Sequence, residues 1–146
     1  MRRLTLLFLV TAILLPVTGV AKEPEVFGKW KTIDDVTGEA RSVVELYALN
    51  GKLFAKVVRF FPGPGENLDP RCEKCEGDNK NQKILGMVII NGLVKKGTVW
   101  ADGTILDPDS GTVYACKLWL ENGKLSVRGY VSFFYRTQTW LPLEKE

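Results

Sequence analysis

There is no histidine among the 146 residues. Its absence removes Ser-His-Asp and Cys-His catalysis, imidazole-ligated metals and the usual proton carrier near neutral pH. Cysteine is scarce. Three residues are too few for a structural zinc site, which wants four ligands, unless carboxylates complete it. Charge of one sign is also lacking. Of 20 basic and 17 acidic residues, Arg2 and Arg3 lie at the extreme N-terminus, and the rest balance at 18 to 17. No basic stripe stands out, so no nucleic-acid partner is expected. There is no internal repeat, no low-complexity segment and no convincing helix longer than a turn or two.

Long apolar runs are missing except at the start. Behind Arg2 and Arg3, the stretch Leu4 to Leu15 is apolar but for Thr5 and Thr11. Pro16 breaks it, and Gly19-Val20-Ala21 supplies small residues. About a dozen apolar residues fall short of the ~20 that a bilayer requires. The pattern is a secretory leader over residues 1–21, with cleavage expected after Ala21. Residues 22–146 then form a single domain, exported to the periplasm or secreted, where disulfides persist.

What is present is strand and turn. Strands are expected over Val26–Ile33, Ser42–Leu49, Lys52–Phe60, most of Ile84–Leu93 (its first residues alternatively a helical turn), Gly97–Leu106, Thr112–Glu121, Lys124–Phe133 and Tyr135–Leu141. Two pairs are joined by Asn-Gly, at Asn50-Gly51 and Asn122-Gly123, the strongest short-range hairpin signal. A two-residue turn sets Tyr47 opposite Phe54, Glu45 opposite Lys56 and Val44 opposite Val57. It puts Val44, Leu46, Ala48, Leu53, Ala55 and Val57 on one face. In the second hairpin Leu118 opposes Val127 and Cys116 opposes Gly129. Tyr114, Cys116, Leu118, Leu120, Leu125, Val127 and Val131 then share the inner face. Trp119, Tyr130, Tyr47 and Phe54 fall on the wetter faces. A kink is expected at Asp102-Gly103. Eight sequentially neighbouring strands close most simply into an antiparallel up-and-down β-barrel, because closure removes exposed edges.

One stretch stands apart: the loop over residues 61–83, where Pro62, Pro64 and Pro70 oppose regular pairing. It carries Cys72 and Cys75. Haem attachment would need a histidine where Glu76 stands, and a thioredoxin-like site would need a helix at the motif. A Cys72–Cys75 disulfide is expected, with Cys116 a buried free thiol; the alternative is a bridge from the loop to Cys116. Metal binding and thiol-redox activity are the lesser readings, and no cofactor or metal is expected. Asp34, Asp35, Asp107 and Asp109 sit in turns, where aspartate bonds the backbone.

The runs FGKWKTIDDVTGEARSVVELYALNGKL, CEKC, ILGMVIINGL, GTILDPDSGTVYACKLWL, KLSVRGYV and RTQTW resemble the bacterial DUF2147 family over nearly the whole chain after the leader. The resemblance implies an exported β-rich domain and no particular reaction. Gly28-Lys29-Trp30 also resembles the Gly-x-Trp opening of lipocalin-like barrels. That resemblance implies a terminal-strand arginine, here Arg136, covering Trp30 and closing the barrel. Gln138, Trp140 and Tyr114 are the candidates for contacting a ligand. Three functions follow in order: a barrel binding a small apolar ligand, a structural or interaction protein of the cell envelope, and a thiol-redox protein using Cys72 and Cys75. No catalytic residue is identified, and an enzyme is not expected.

Overall fold

A computed structural model describes residues 26–143; the leader read over residues 1–21 lies outside the described residues. Eight strands follow one another: β1 (Gly28–Ile33), β2 (Ala40–Leu49), β3 (Lys52–Phe60), β4 (Val88–Lys96), β5 (Val99–Asp107), β6 (Thr112–Glu121), β7 (Lys124–Val131) and β8 (Phe134–Pro142). Each pairs antiparallel with the next, and β8 returns to β1, so the sheet closes into an up-and-down barrel. Among the described residues, helix is limited to a 3-10 turn at Gly77–Asn79.

The Asn-Gly turns set the registers. Asn50 and Gly51 have φ of 50° and 74°, Asn122 and Gly123 of 52° and 74°, positive at both positions as a type I′ turn requires. The pairs Tyr47–Phe54, Glu45–Lys56, Val44–Val57, Leu118–Val127 and Cys116–Gly129 all form. Beyond Val44 the first hairpin shifts: Val43 pairs with Arg59, so Val58 is an extra residue. This bulge carries Phe60 to the inner side opposite Ser42. The kink expected at Asp102-Gly103 is a second bulge, with Asp102 at φ 60° between the Trp100–Leu118 and Gly103–Cys116 pairs. A Cβ on Gly103 would lie 2.4 Å from the Asn91 carbonyl oxygen, so the bulge depends on glycine there.

Nine strand boundaries fall one to four residues from expectation, and three of the shifts have a plain cause. β1 begins at Gly28 rather than Val26, because Val26 and Phe27 fold back across the barrel end. β4 begins at Val88, because Ile84 to Met87 forms a turn closed by the Met87 N–H on the Ile84 carbonyl at 3.0 Å. β7 stops at Val131, because Ser132 at φ 52° reverses the chain into β8. Ala48, expected on the core face, is exposed: it sits beside the Asn50-Gly51 turn, past the last closed layer of side chains.

The strand order gives the barrel two unlike ends. At the base lie the tight β2–β3, β4–β5 and β6–β7 turns. Leu46, Leu53, Leu93, Trp100, Leu118 and Leu125 fill the barrel there. The base is sealed by the chain entering β1. The Trp30 indole N–H donates to the Val26 carbonyl at 2.8 Å, and Phe27 meets Trp100 edge-on with centroids 5.5 Å apart. At the other end, the mouth, lie the connections 34–39, 61–87, 108–111 and 132–133.

The long β3–β4 connection is ordered by its own backbone bonds. Ile84 N–H donates to Pro70, Cys72 N–H to Gln82 and Asn81 N–H to Cys72, at 2.9–3.0 Å. Cys72 and Cys75 are joined as a disulfide, Cα atoms 5.3 Å apart, and both are buried. Cys116 is free and buried in the β6 wall, pointing inward as expected. The disulfide segment rests on the β5–β6 turn. Cys72 Sγ sits 3.2 Å from the Pro108 carbonyl oxygen, a packing contact, since a disulfide sulfur has no hydrogen to donate.

The outer surface is charged. Lys31, Lys117 and Arg128 point outward, as do Glu45 and Lys56, which pair at 3.3 Å. No described helix is long and apolar enough to cross a membrane.

Candidate functional site

Above the packed base, a cavity of about 800 Å³ opens at the mouth, within the size range of small-molecule pockets. Its depth is apolar, with Val57, Ile105, Val127 and Trp140 in the lining. The space exists partly because β7 carries Gly129 on its inner face. A Cβ there would meet Tyr114 Cβ at 3.4 Å and Ile105 Cγ2 at 3.7 Å, so Tyr114 packs against a wall with no side chain of its own.

Tyr114, Gln138 and Trp140 all line this cavity. Strand alternation puts Arg136, Gln138 and Trp140 on the inner side of β8 at successive depths. Trp140 is fully buried at the bottom, and its indole N–H donates to Gln138 Oε1 at 3.3 Å. Near the mouth, the Thr32 and Ser42 hydroxyls bond at 2.7 Å on facing positions of β1 and β2. The cavity thus offers an apolar depth, a few hydroxyl and amide groups at mid-height, and charge at the opening.

Arg136 does not cover Trp30. Its Nε donates to Asp35 Oδ2 at 2.8 Å, tying β8 to the β1–β2 connection at the mouth. Trp30 pairs with Pro142, six residues farther along β8, at the base. The reason is directional: both residues lie near the starts of their strands, and starts of antiparallel neighbours fall at opposite ends. Because the Arg136–Asp35 pair is largely exposed, Arg136→Ala should lower stability by less than about 1 kcal/mol. Urea unfolding checks this, and a loss above about 2 kcal/mol would restore a closing role for Arg136.

Alternate connections of an up-and-down barrel share an end, so turns far apart in sequence converge. Asp34, Asp35, Asp107 and Asp109 all reach the mouth, as does Glu66 from the long loop. The Asp34 carboxylate accepts the N–H groups of Thr37 and Val36 at 2.8 Å, which hold its pKa below the usual range. Glu66 is lowered by the Gly63 N–H and then by Arg41, whose Nη1 lies 2.9 Å away. These two are fixed anions, poorly suited to donating protons.

The outer aromatics are engaged within the chain. Tyr47 stacks on Phe54 at 5.9 Å beneath Lys56. Arg128 lies over Trp119 at 5.1 Å and over Tyr135 at 4.2 Å, and Lys117 reaches both Trp119 and Tyr130. This array lays positive charge over the aromatic rings on the outer face of β6–β8.

Burial pushes the Cys116 thiol up from 9.0 to about 12, which leaves it protonated and unreactive at neutral pH. With the folded pKa raised, the unfolded chain loses this proton first. Stability should therefore be intact below pH 9 and fall as pH rises toward 12. Asp34, Glu66 and Asp69 are lowered, so their contribution is present above the ordinary carboxylate range and lost as pH falls through it. With no histidine, unfolding free energy should change little between these limits. Urea unfolding across pH checks all three regions, and Cys116→Ala should flatten the alkaline slope relative to the parent.

Comparison with known proteins agrees with this architecture. Protein HP1028 from the human pathogen Helicobacter pylori, described as belonging to the lipocalin family, superposes with a TM-score of 0.70. The match covers 82% of this chain and 84% of that one at 19% identity, a likeness of fold. A search of curated proteins finds no match. The family model for an uncharacterized protein conserved in bacteria, DUF2147, matches residues 28–141, so the chain belongs to the DUF2147 family.

Proposed function

We propose that this protein is an exported, non-enzymatic binding module that holds a small, mainly apolar molecule in the barrel. The observation that carries the reading is the cavity: about 800 Å³ with an apolar depth and an open mouth. Small barrels can fill completely with side chains, and here a cavity remains above the base. Trp140, Tyr114 and the apolar wall would enclose the body of the ligand. Gln138, with one amide oxygen already facing the Trp140 indole, would read a polar atom part-way up. Arg136 and Asp35 would face the end nearest solvent. The lipocalin-family neighbour supports a barrel suited to this use, and its likeness extends to fold only. The leader over residues 1–21 supports a periplasmic or secreted address.

The envelope-interaction reading is the weaker one, since the outer aromatics that motivated it are paired with lysine and arginine. A thiol-redox role gains nothing from two buried cysteines followed only by the three-residue 3-10 turn at Gly77–Asn79. Native mass spectrometry of gently purified protein tests the binding reading. A discrete retained mass, released on unfolding and reduced by filling the cavity, is the expected result. Protein that carries nothing and is not stabilised by any apolar compound across a thermal-shift panel would count against it.

A further inference from the structure

The rim of the mouth carries large apolar side chains where turns ordinarily carry Gly, Asn or Asp. Phe133 stands in the two-residue β7–β8 turn at 95% exposure, with Phe134 beside it at 79%. Val36 tops the β1–β2 connection at 92%, and Leu68 projects from the long loop at 81%. Each of Val36, Leu68 and Phe133 is a sequence neighbour of a residue lining the cavity, namely Asp35, Asn67 and Phe134. Three separate connections therefore place apolar points around one opening. None of these side chains contributes to the core, so their exposure brings the fold no stabilisation.

We propose that this rim docks on a lipid surface of zwitterionic headgroups, with Phe133, Val36 and Leu68 entering the headgroup layer. The arrangement fits a bilayer better than a protein. A protein interface buries a continuous apolar centre within a polar border. Here the centre is an opening bordered by carboxylates together with Phe61, Pro62 and Phe134, and the most exposed apolar points, Val36, Leu68 and Phe133, stand apart around it. A fluid interface accepts separate points, as it does the apolar residues of interfacial segments. Charge agrees. The cavity mouth presents Asp34, Asp35, Glu66, Asp107 and Asp109 against Arg41 and Arg136. This negative field complements the outward ammonium of choline or ethanolamine headgroups and is repelled by anionic lipid. The inference goes beyond the binding reading and stands without it, since a rim can dock whether or not the cavity is loaded.

The test is co-flotation with phosphatidylcholine vesicles and with the same vesicles doped with phosphatidylglycerol. It uses protein from the full-length gene with its N-terminus established by mass spectrometry. The parent should bind phosphatidylcholine, and phosphatidylglycerol should weaken binding. The triple variant Val36→Ser, Leu68→Ser, Phe133→Ser should lose about tenfold or more. Leu49→Ser, an exposed apolar residue at the base, should bind as the parent does. None of the triple-variant positions lines the cavity, so uptake of an apolar probe should be unchanged in it. That separates failure of docking from failure of the cavity reading. Absence of vesicle binding by the parent, or equal binding by the triple variant, overturns the proposal. So does concentration-dependent dimerisation that requires Phe133 while vesicles are ignored, which would assign the rim to a second copy.

Discussion

Trp140→Ala should destabilise the barrel by about 3–5 kcal/mol, the range for truncating a buried aromatic. Trp140 is fully buried on β8, packed at the boundary between the filled base and the cavity. Losing the indole also leaves Gln138 Oε1 without its donor. Against a total stability of ~5–15 kcal/mol, the urea midpoint should drop steeply. Trp119→Ala makes the contrast. That ring is half-buried on the outer face under Arg128 and Lys117, and its removal should cost roughly 1–2 kcal/mol. Equal losses at the two positions would mean that the inside and outside of β6 and β8 are misassigned.

Gly111→Ala should undock the disulfide segment from the barrel. Gly111 has φ +73°, a conformation that costs a residue with a Cβ about 1–2 kcal/mol. An added Cβ would also lie 2.1 Å from the Lys74 carbonyl oxygen and 2.4 Å from its carbon. Both are backbone atoms of the segment between Cys72 and Cys75, so no side chain can rotate away. Overpacking of this kind adds about 1–3 kcal/mol. The expected result is a loss of roughly 2–5 kcal/mol, together with faster reduction of the Cys72–Cys75 bond as its buried sulfurs become accessible. Gly38→Ala is the control. Its φ is +75° but nothing lies within 4 Å of the added Cβ, so only the conformational cost of about 1–2 kcal/mol applies. Unchanged reduction kinetics in Gly111→Ala would show that the long loop does not depend on the β5–β6 turn.

Much of the barrel is legible in the sequence for one physical reason. Asn50-Gly51 and Asn122-Gly123 each pin a register, and a pinned register with period-two alternation decides which side chains face inward. That is why Tyr114, Cys116, Val127 and Val131 could be assigned to the interior, and why Trp119 and Tyr130 could be assigned outside it. The bulge at Val58 was not legible, because Val43, Val44, Val57 and Val58 satisfy either phase equally well. The pairing of Arg136 with Asp35 spans 101 residues, and no local pattern carries it. The geometry of strand starts does exclude Arg136 from Trp30, and a lipocalin-like motif match on residue type alone misses that point. The sealing of the base by Val26 and Phe27 was obscured because both continue the apolar pattern of β1. Whether the interior is hollow depends on summed side-chain volumes across all eight strands. Gly129 on the inner wall is a local hint of space, and glycine in a strand has several other causes, such as the close backbone approach at Gly103.

The convergence of Asp34, Asp35, Asp107 and Asp109 was available from topology once eight sequential strands were accepted, since odd-numbered connections share an end. Glu66 and Asn67 were not, because the path of a proline-rich connection of this length does not follow from its composition. The buried thiol is a similar case: the inward direction of Cys116 was readable, whereas its distance from the loop disulfide needed coordinates.

The most direct measurement is a fluorescence titration with N-phenyl-1-naphthylamine, an uncharged apolar probe, comparing the parent with Gly129→Leu. Leucine at position 129 extends from the β7 wall into the cavity beside Tyr114 and Ile105, with exposed Leu49→Ser as the unaffected control. Saturable binding at one site, weakened about tenfold or more in Gly129→Leu (a change of about 1.4 kcal/mol) and unchanged in Leu49→Ser, is the predicted result. No saturable binding, or equal affinity in a Gly129→Leu protein that remains folded, would contradict a ligand held within the barrel.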